Sequence, residues 1–129
     1  MKTFAVAAVW VAISTAPDAA QSALAPSGVY DSDHGQVMFV CSPATGLCEG
    51  VYPIRGGYLG RLAGRLLGNG VMAGTWWEPG GLHHCDTPVE GAYKWGAFEF
   101  RFEAEFDRWT GRWGDCEQPV DRTWNGKRE

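Results

Sequence analysis

The sequence predicts an all-β fold, a single up-and-down antiparallel barrel of eight strands. Three observations predict it. Glycine, any residue, aromatic recurs four times, at Gly28-Val29-Tyr30, Gly50-Val51-Tyr52, Gly74-Thr75-Trp76 and Gly111-Arg112-Trp113. The apolar residues past position 27 alternate with period two rather than 3.6. Short turn sequences join consecutive apolar segments, which is how antiparallel neighbours are connected. With 18 glycines in 129 residues, a long helix is disfavoured throughout.

Taken in order, the first segment is a leader. Met1 and Lys2 precede an apolar run over 4–13 and a small-residue stretch over 16–25, the three regions of a signal peptide, with candidate cuts after Ser22, which has Ala20 at the minus-three position, or after Ala25, which Pro26 disfavours. The run is too short for a bilayer, which needs about 20 apolar residues, so no membrane anchor is expected after cleavage. Residues 1–22 are therefore read as leader, 23–27 as an N-terminal arm and 28–129 as the barrel. The expected location is periplasmic or extracellular.

Strands are expected near 28–32, 36–41, 48–53, 57–67, 70–78, 94–104, 107–114 and 122–128. In the seventh, Trp109, Gly111 and Trp113 share a face opposite Thr110 and Arg112, so glycine and aromatic point inward. The sixth agrees, with Phe98, Phe100 and Phe102 against Glu99, Arg101 and Glu103. The fourth sets Tyr58, Leu62 and Leu66 against Arg61 and Arg65. The second strand is apolar on both faces. Trp77 alternates with Trp76 and is expected outside, where an indole needs a partner or cover. Turns fall at Pro43-Ala44-Thr45-Gly46, Gly68-Asn69-Gly70 and Glu105-Phe106-Asp107.

In a meander the first, third, fifth and seventh strands run in one direction, so their glycine-aromatic pairs are expected to line one region of the barrel. The same parity pairs the cysteines. Four in an exported chain fit two disulfides. Cys41 and Cys48 flank one hairpin, whereas Cys85 and Cys116 lie in connections at the opposite end, so the expected bonds are 41 with 48 and 85 with 116. Without a C-x-x-C pair, a zinc site is disfavoured.

Charge narrows the partners. Eleven Lys and Arg against 15 Asp and Glu give a net charge of −4. The arginines are scattered among carboxylates rather than clustered for phosphate, so no nucleic-acid partner is expected.

The stretch GVYDSDHGQVMFVCSPATGLCEGVY over 28–52 resembles the start of the avidin and streptavidin family. That family opens with Gly-x-Trp, reaches a second glycine seven residues on and returns with Gly-x-Tyr; Gly28, Gly35, Gly50 and Tyr52 keep this rhythm. The resemblance implies a calycin-type barrel. By position it also places the family's ligand-binding residues on Ser32, Gln36, Tyr52 and Ile54, of which Tyr52 alone keeps its identity. A second exported family, the bacterial inhibitors of secreted metalloproteases, is similar in organisation: signal peptide, N-terminal arm, opening strand and disulfide.

For chemistry, the barrel end bearing Cys85 and Cys116 gathers the loop with Asp31, Ser32, Asp33 and His34, the turn at Arg55 and the long 79–94 connection. His34 with His83 or His84 and a nearby aspartate has the donor types of a two-histidine, one-carboxylate metal site. The bland reading is solvated loop histidines, and no metal is assigned. No serine stands in a G-x-S-x-G elbow. The carboxylate pairs Asp31 with Asp33 and Glu103 with Glu105 are read as a turn cap and a solvated hairpin end. No catalytic residue and no cofactor are assigned.

The reading is an exported, non-enzymatic binding barrel whose ligand sits at the end carrying the 79–94 loop, contacted by Tyr30, Ser32, Tyr52, Trp76, Trp113, His34 and His83. The alternative is a protein-interaction module such as a protease inhibitor, acting through the arm and Trp77. A metal-dependent enzyme is a third reading. Ligand identity and oligomeric state are not specified.

Overall fold

A computed structural model describes residues 26–80 and 84–129. The leader, the first three residues of the arm and His83 lie outside them. The strands are β1 Gly28–Ser32, β2 Gly35–Cys41, β3 Leu47–Pro53, β4 Leu59–Leu66, β5 Val71–Glu78, β6 Lys94–Phe102, β7 Arg108–Trp113, β8 Arg122–Thr123 and β9 Gly126–Arg128. Each pairs antiparallel with its sequence neighbour through β7. β7 then pairs with both β8 and β9, and β9 returns to β1. The sheet is thus a closed eight-stave barrel in which β8 and β9 form one interrupted stave.

The interruption is patched locally. Trp124 N donates to Gly111 O at 2.8 Å, and Gly111 N donates to the Asn125 side-chain oxygen at 3.2 Å, so an amide replaces a backbone acceptor where the ladder breaks. Closure leaves no open edge to template aggregation. Helical structure among the described residues is one short 3-10 turn, Arg55–Gly57. Among those residues no helix is long and apolar enough to cross a membrane.

Alternation sets the facing as expected on most staves. Tyr30, Val37, Phe39, Leu62, Phe98, Phe100, Phe102 and Trp109 are buried together in one core. Met38 and Val40 take the other face of β2, at 47% and 68% exposure, which resolves a strand apolar on both sides. Tyr58 departs from the expectation: it precedes β4 and is 57% exposed, because the chain turns through Gly56 and Gly57 at positive φ before the strand begins.

The recurring glycines have a cross-strand purpose. Register places Phe39 opposite Gly50, Tyr52 opposite Gly60, Trp76 opposite Gly96, Phe100 opposite Gly111 and Trp109 opposite Gly126. A Cβ at Gly50 would come within 2.8 Å of the Phe39 ring, and Gly60 and Gly126 would collide with Tyr52 and Trp109. Each of these five aromatics therefore lies opposite a position on the next stave where no side chain stands. Rings stack edge-on through the core, as with Tyr30 and Trp109 at 4.9 Å.

Both disulfides join the expected partners. Cys41 and Cys48 face each other across β2 and β3 with Cα atoms 4.0 Å apart; Cys85 and Cys116 span 5.6 Å at the other end. Among the described residues no cysteine is free.

Candidate functional site

One end of the barrel opens on an aromatic-lined cleft. A cavity of about 320 Å³ lies at the end bearing the β1–β2 turn, walled by Tyr52, Trp76, Trp113 and Trp124, with His34, Ile54, Glu78 and Lys94 around it. That is the lower end of the size range of small-molecule sites, which favour barrel mouths.

Each wall is fixed by a defined contact. Trp76 donates its indole N–H to Gly114 O at 3.0 Å and is 2% exposed. Trp124 donates to Ser32 Oγ at 2.9 Å, and that hydroxyl in turn donates to Gly35 O at 2.6 Å. Tyr52 donates to Glu78 Oε2 at 2.7 Å, and Lys94 Nζ stands 3.3 Å from Glu78 Oε1. Burial raises the Tyr52 phenol well above the ordinary range, with the Glu78 hydrogen bond and charge adding to it. Tyr52 therefore stays a donor and Glu78 an acceptor.

The rings meet nearly at right angles. Trp76 and Trp113 are edge-to-face at 84° and 5.4 Å, and Tyr52 and Trp124 at 81° and 5.2 Å. His34 stands over the opening, edge-on to Trp124 at 4.7 Å and Trp113 at 5.4 Å. Trp113 is the exception in bonding: its Nε1 is buried and has no hydrogen-bond partner among the described residues. Leaving such a donor unpaired costs about 1–3 kcal/mol.

Of the residues predicted for the site, Tyr52, Trp76, Trp113 and His34 come together at the cavity, and Ser32 stands behind Trp124 as its acceptor. Tyr30 does not join them. It is fully buried near the opposite end, its hydroxyl donating to Pro26 O at 2.8 Å, with Phe106 O 3.0 Å away. Closing a barrel requires staggered strands. Tyr30 is level with Val37 on one side and with Arg128 on the other, and Arg128 N donates to Asp107 O in the far turn. Shared strand direction fixed the face of Tyr30 but not its height.

The family-like carry-over divides the same way. Tyr52 and Ile54 line the cavity. Gln36 faces outward between inward Val37 and the turn, and donates to Glu129 Oε2 at 2.6 Å. The histidines also separate: His34 lies on the indoles, His84 is 3.5 Å from Asp115, and His83 is outside the described residues. Among the described residues no group of three or more His, Cys, Asp or Glu side chains is placed to hold a metal.

Trp124, Glu78 and Lys94 belong to the site without having been predicted. Trp124 carried a signal, since Trp124-Asn125-Gly126 is the recurring motif written backwards. Trp77 faces outward as expected. It lines a broad groove on the outside of β2 to β5 with Met38, Val40, Leu47 and Arg61.

Fold and cavity together define a closed up-and-down β-barrel with an aromatic chamber at one end. No family model, no curated protein and no solved structure matches the chain.

Proposed function

We propose that this is an exported, non-enzymatic barrel that binds a small molecule in the chamber walled by Tyr52, Trp76, Trp113 and Trp124. The observation that carries the reading is the aromatic cleft itself, one wall of which, Trp113, keeps a buried indole N–H with no hydrogen-bond partner among the described residues. A ligand oxygen or nitrogen there would complete it, while the rings supply apolar contact. The avidin-like rhythm of 28–52 supports a calycin-type barrel for this role, but Ile54 stands where that family has a hydroxyl, so its own ligand is not carried over. Two disulfides fit a non-reducing compartment, which together with the leader-like residues 1–22 supports a periplasmic or extracellular site of action.

Native mass spectrometry of protein purified from its own source tests this. The expected result is a bound small molecule that is retained by the wild type and lost on Trp76→Ala. Trp113→Phe, which keeps a ring and removes only the donor, should weaken the ligand about five- to thirtyfold. Protein that arrives empty and binds no compound from a chemically broad library would overturn the proposal.

A second reading has its own observation: Met38, Val40 and Leu47 expose 47, 68 and 50% of their surface on one outer face beside Trp77. That pattern suits a protein partner such as a protease. Loss of partner binding on Met38→Ser with Trp77→Ser, or on deletion of residues 23–27, would favour it.

A further inference from the structure

We infer, resting on the chamber as a ligand site, that its ligand is a small organic cation, an alkylated ammonium carrying an oxygen nearby, with Glu78 as counter-charge. Four observations lead there. The cleft is lined mainly by aromatic rings, Tyr52, Trp76, Trp113 and Trp124, which meet at 81–84° within each edge-to-face pair and so do not form parallel plates for a flat group. Ring faces carry the negative part of the aromatic quadrupole and attract alkylated ammonium groups. This set already holds one cation from the outside, since the Arg122 guanidinium carbon is 4.8 Å from the Trp113 ring centroid.

The third observation is Glu78. Its side chain is only 19% exposed, and it is anchored by Tyr52 at 2.7 Å. Its ion-pair partner among the described residues is the Lys94 ammonium at 3.3 Å, on a long side chain that is 46% exposed. Water can take that ammonium at small cost. A ligand cation arriving at Glu78 Oε1 would replace it and restore charge balance, whereas an anion would meet a carboxylate held in place. Arg122 is committed to Asp115 at 2.9 Å, and Arg55 lines an adjoining pocket with Glu78 and Lys94. His34 borders the opening edge-on to two indoles.

The last observation is the Trp113 N–H, buried and without a hydrogen-bond partner among the described residues; a hydroxyl or carboxylate oxygen a few bonds from the cationic centre supplies an acceptor once a small rotation of the indole uncovers the atom. A volume of about 320 Å³ admits a group of that size.

The test is a titration of the purified, oxidised protein, by calorimetry and tryptophan fluorescence, with choline and with 3,3-dimethylbutan-1-ol, which has the same shape without the charge. Choline is expected to bind at least tenfold more tightly. Glu78→Gln, which keeps an acceptor for Tyr52, should abolish that preference, bringing choline down to about the affinity of the alcohol. Lys94→Met should strengthen choline by removing its competitor. Equal affinity for the two compounds, or a choline preference that survives Glu78→Gln, overturns the cation inference and leaves the chamber as a binding site. If neither compound binds but the native protein carries another small molecule, the inference fails and the proposed function stands. If nothing binds at all, both fail.

Discussion

Arg128 lies over the ring of Tyr30, its guanidinium carbon 4.8 Å from the ring centroid, and donates through Nη2 to the Tyr30 hydroxyl at 2.7 Å. The same guanidinium donates to Ser27 O at 3.0 Å and to Phe106 O at 3.1 Å. One side chain on the last strand thus ties together the chain's first described turn of backbone, the first strand and the β6–β7 turn. It fastens the seam where β9 meets β1.

Arg128→Met should therefore destabilise the barrel by about 2–4 kcal/mol, since it removes charge-assisted hydrogen bonds and a cation–π contact together. Arg128→Lys should recover only part of this, because a point charge cannot serve three acceptors in a fork. Urea unfolding followed by tryptophan fluorescence measures both. Wild-type stability in Arg128→Met would mean the seam is held by its backbone ladder alone.

Alkali should attack the same place. Burial pushes the Tyr30 phenol up to about 12, with Arg128 opposing and Asp107 adding to the rise. A folded-state value above the unfolded one means that the folded barrel holds the proton more tightly. Its contribution to stability is complete below the ordinary tyrosine value of about 10 and is lost as pH rises from there toward 12. Tyr52 is shifted in the same direction. Stability should fall across this window, less steeply in Tyr30→Phe and least in Tyr30→Phe with Tyr52→Phe. Equal slopes in all three proteins would show that neither phenol governs alkaline unfolding.

Gly96→Ala tests the cross-strand glycines. A Cβ there would run into Gly114 O and come within 2.8 Å of Trp76 Nε1, the two atoms that bond to fix the chamber wall. Loss of about 1–3 kcal/mol is expected, together with a change in indole emission and weakened ligand binding. Gly68→Ala, where a Cβ meets nothing within 4 Å, should change neither. Indistinguishable behaviour of the two variants would refute the spatial role given to Gly96.

Removing the Cys85–Cys116 bond with paired serines should cost about 3–4 kcal/mol on the loop-entropy estimate. It should also act locally. Cys116 N donates to Trp95 O at 2.7 Å, two residues after the Gly114 carbonyl that holds Trp76. Hydrogen exchange is expected to rise first around residues 95–97 and 113–116, ahead of the packed end around Tyr30. A uniform rise across the barrel would contradict this.

The fold was legible because its instructions are local. Alternation fixed which face Phe98, Phe100 and Phe102 take, turn residues fixed the meander, and strand parity fixed the cysteine partners. The chamber was legible in part. Tyr52, Trp76, Trp113 and His34 were foreseen because they lie near the ends of strands that turn at that rim. Tyr30 was misplaced because alternation carries no information about height, which depends on the stagger accumulated around the closed sheet. Gln36 was misdirected because a spacing likeness to another family does not fix facing, whereas its neighbour Val37 does. Glu78 and Lys94 escaped notice because their pairing spans a long connection, and each in isolation reads as an ordinary surface charge.

Pro26 and Arg128 share the opposite end of the barrel, since Tyr30 and Phe106 hold both of them there. A tag or tether fused directly to Pro26, in place of residues 1–25, would therefore start on the side away from the indole-lined opening. An immobilised molecule linked in that way would present that opening to the surrounding solution.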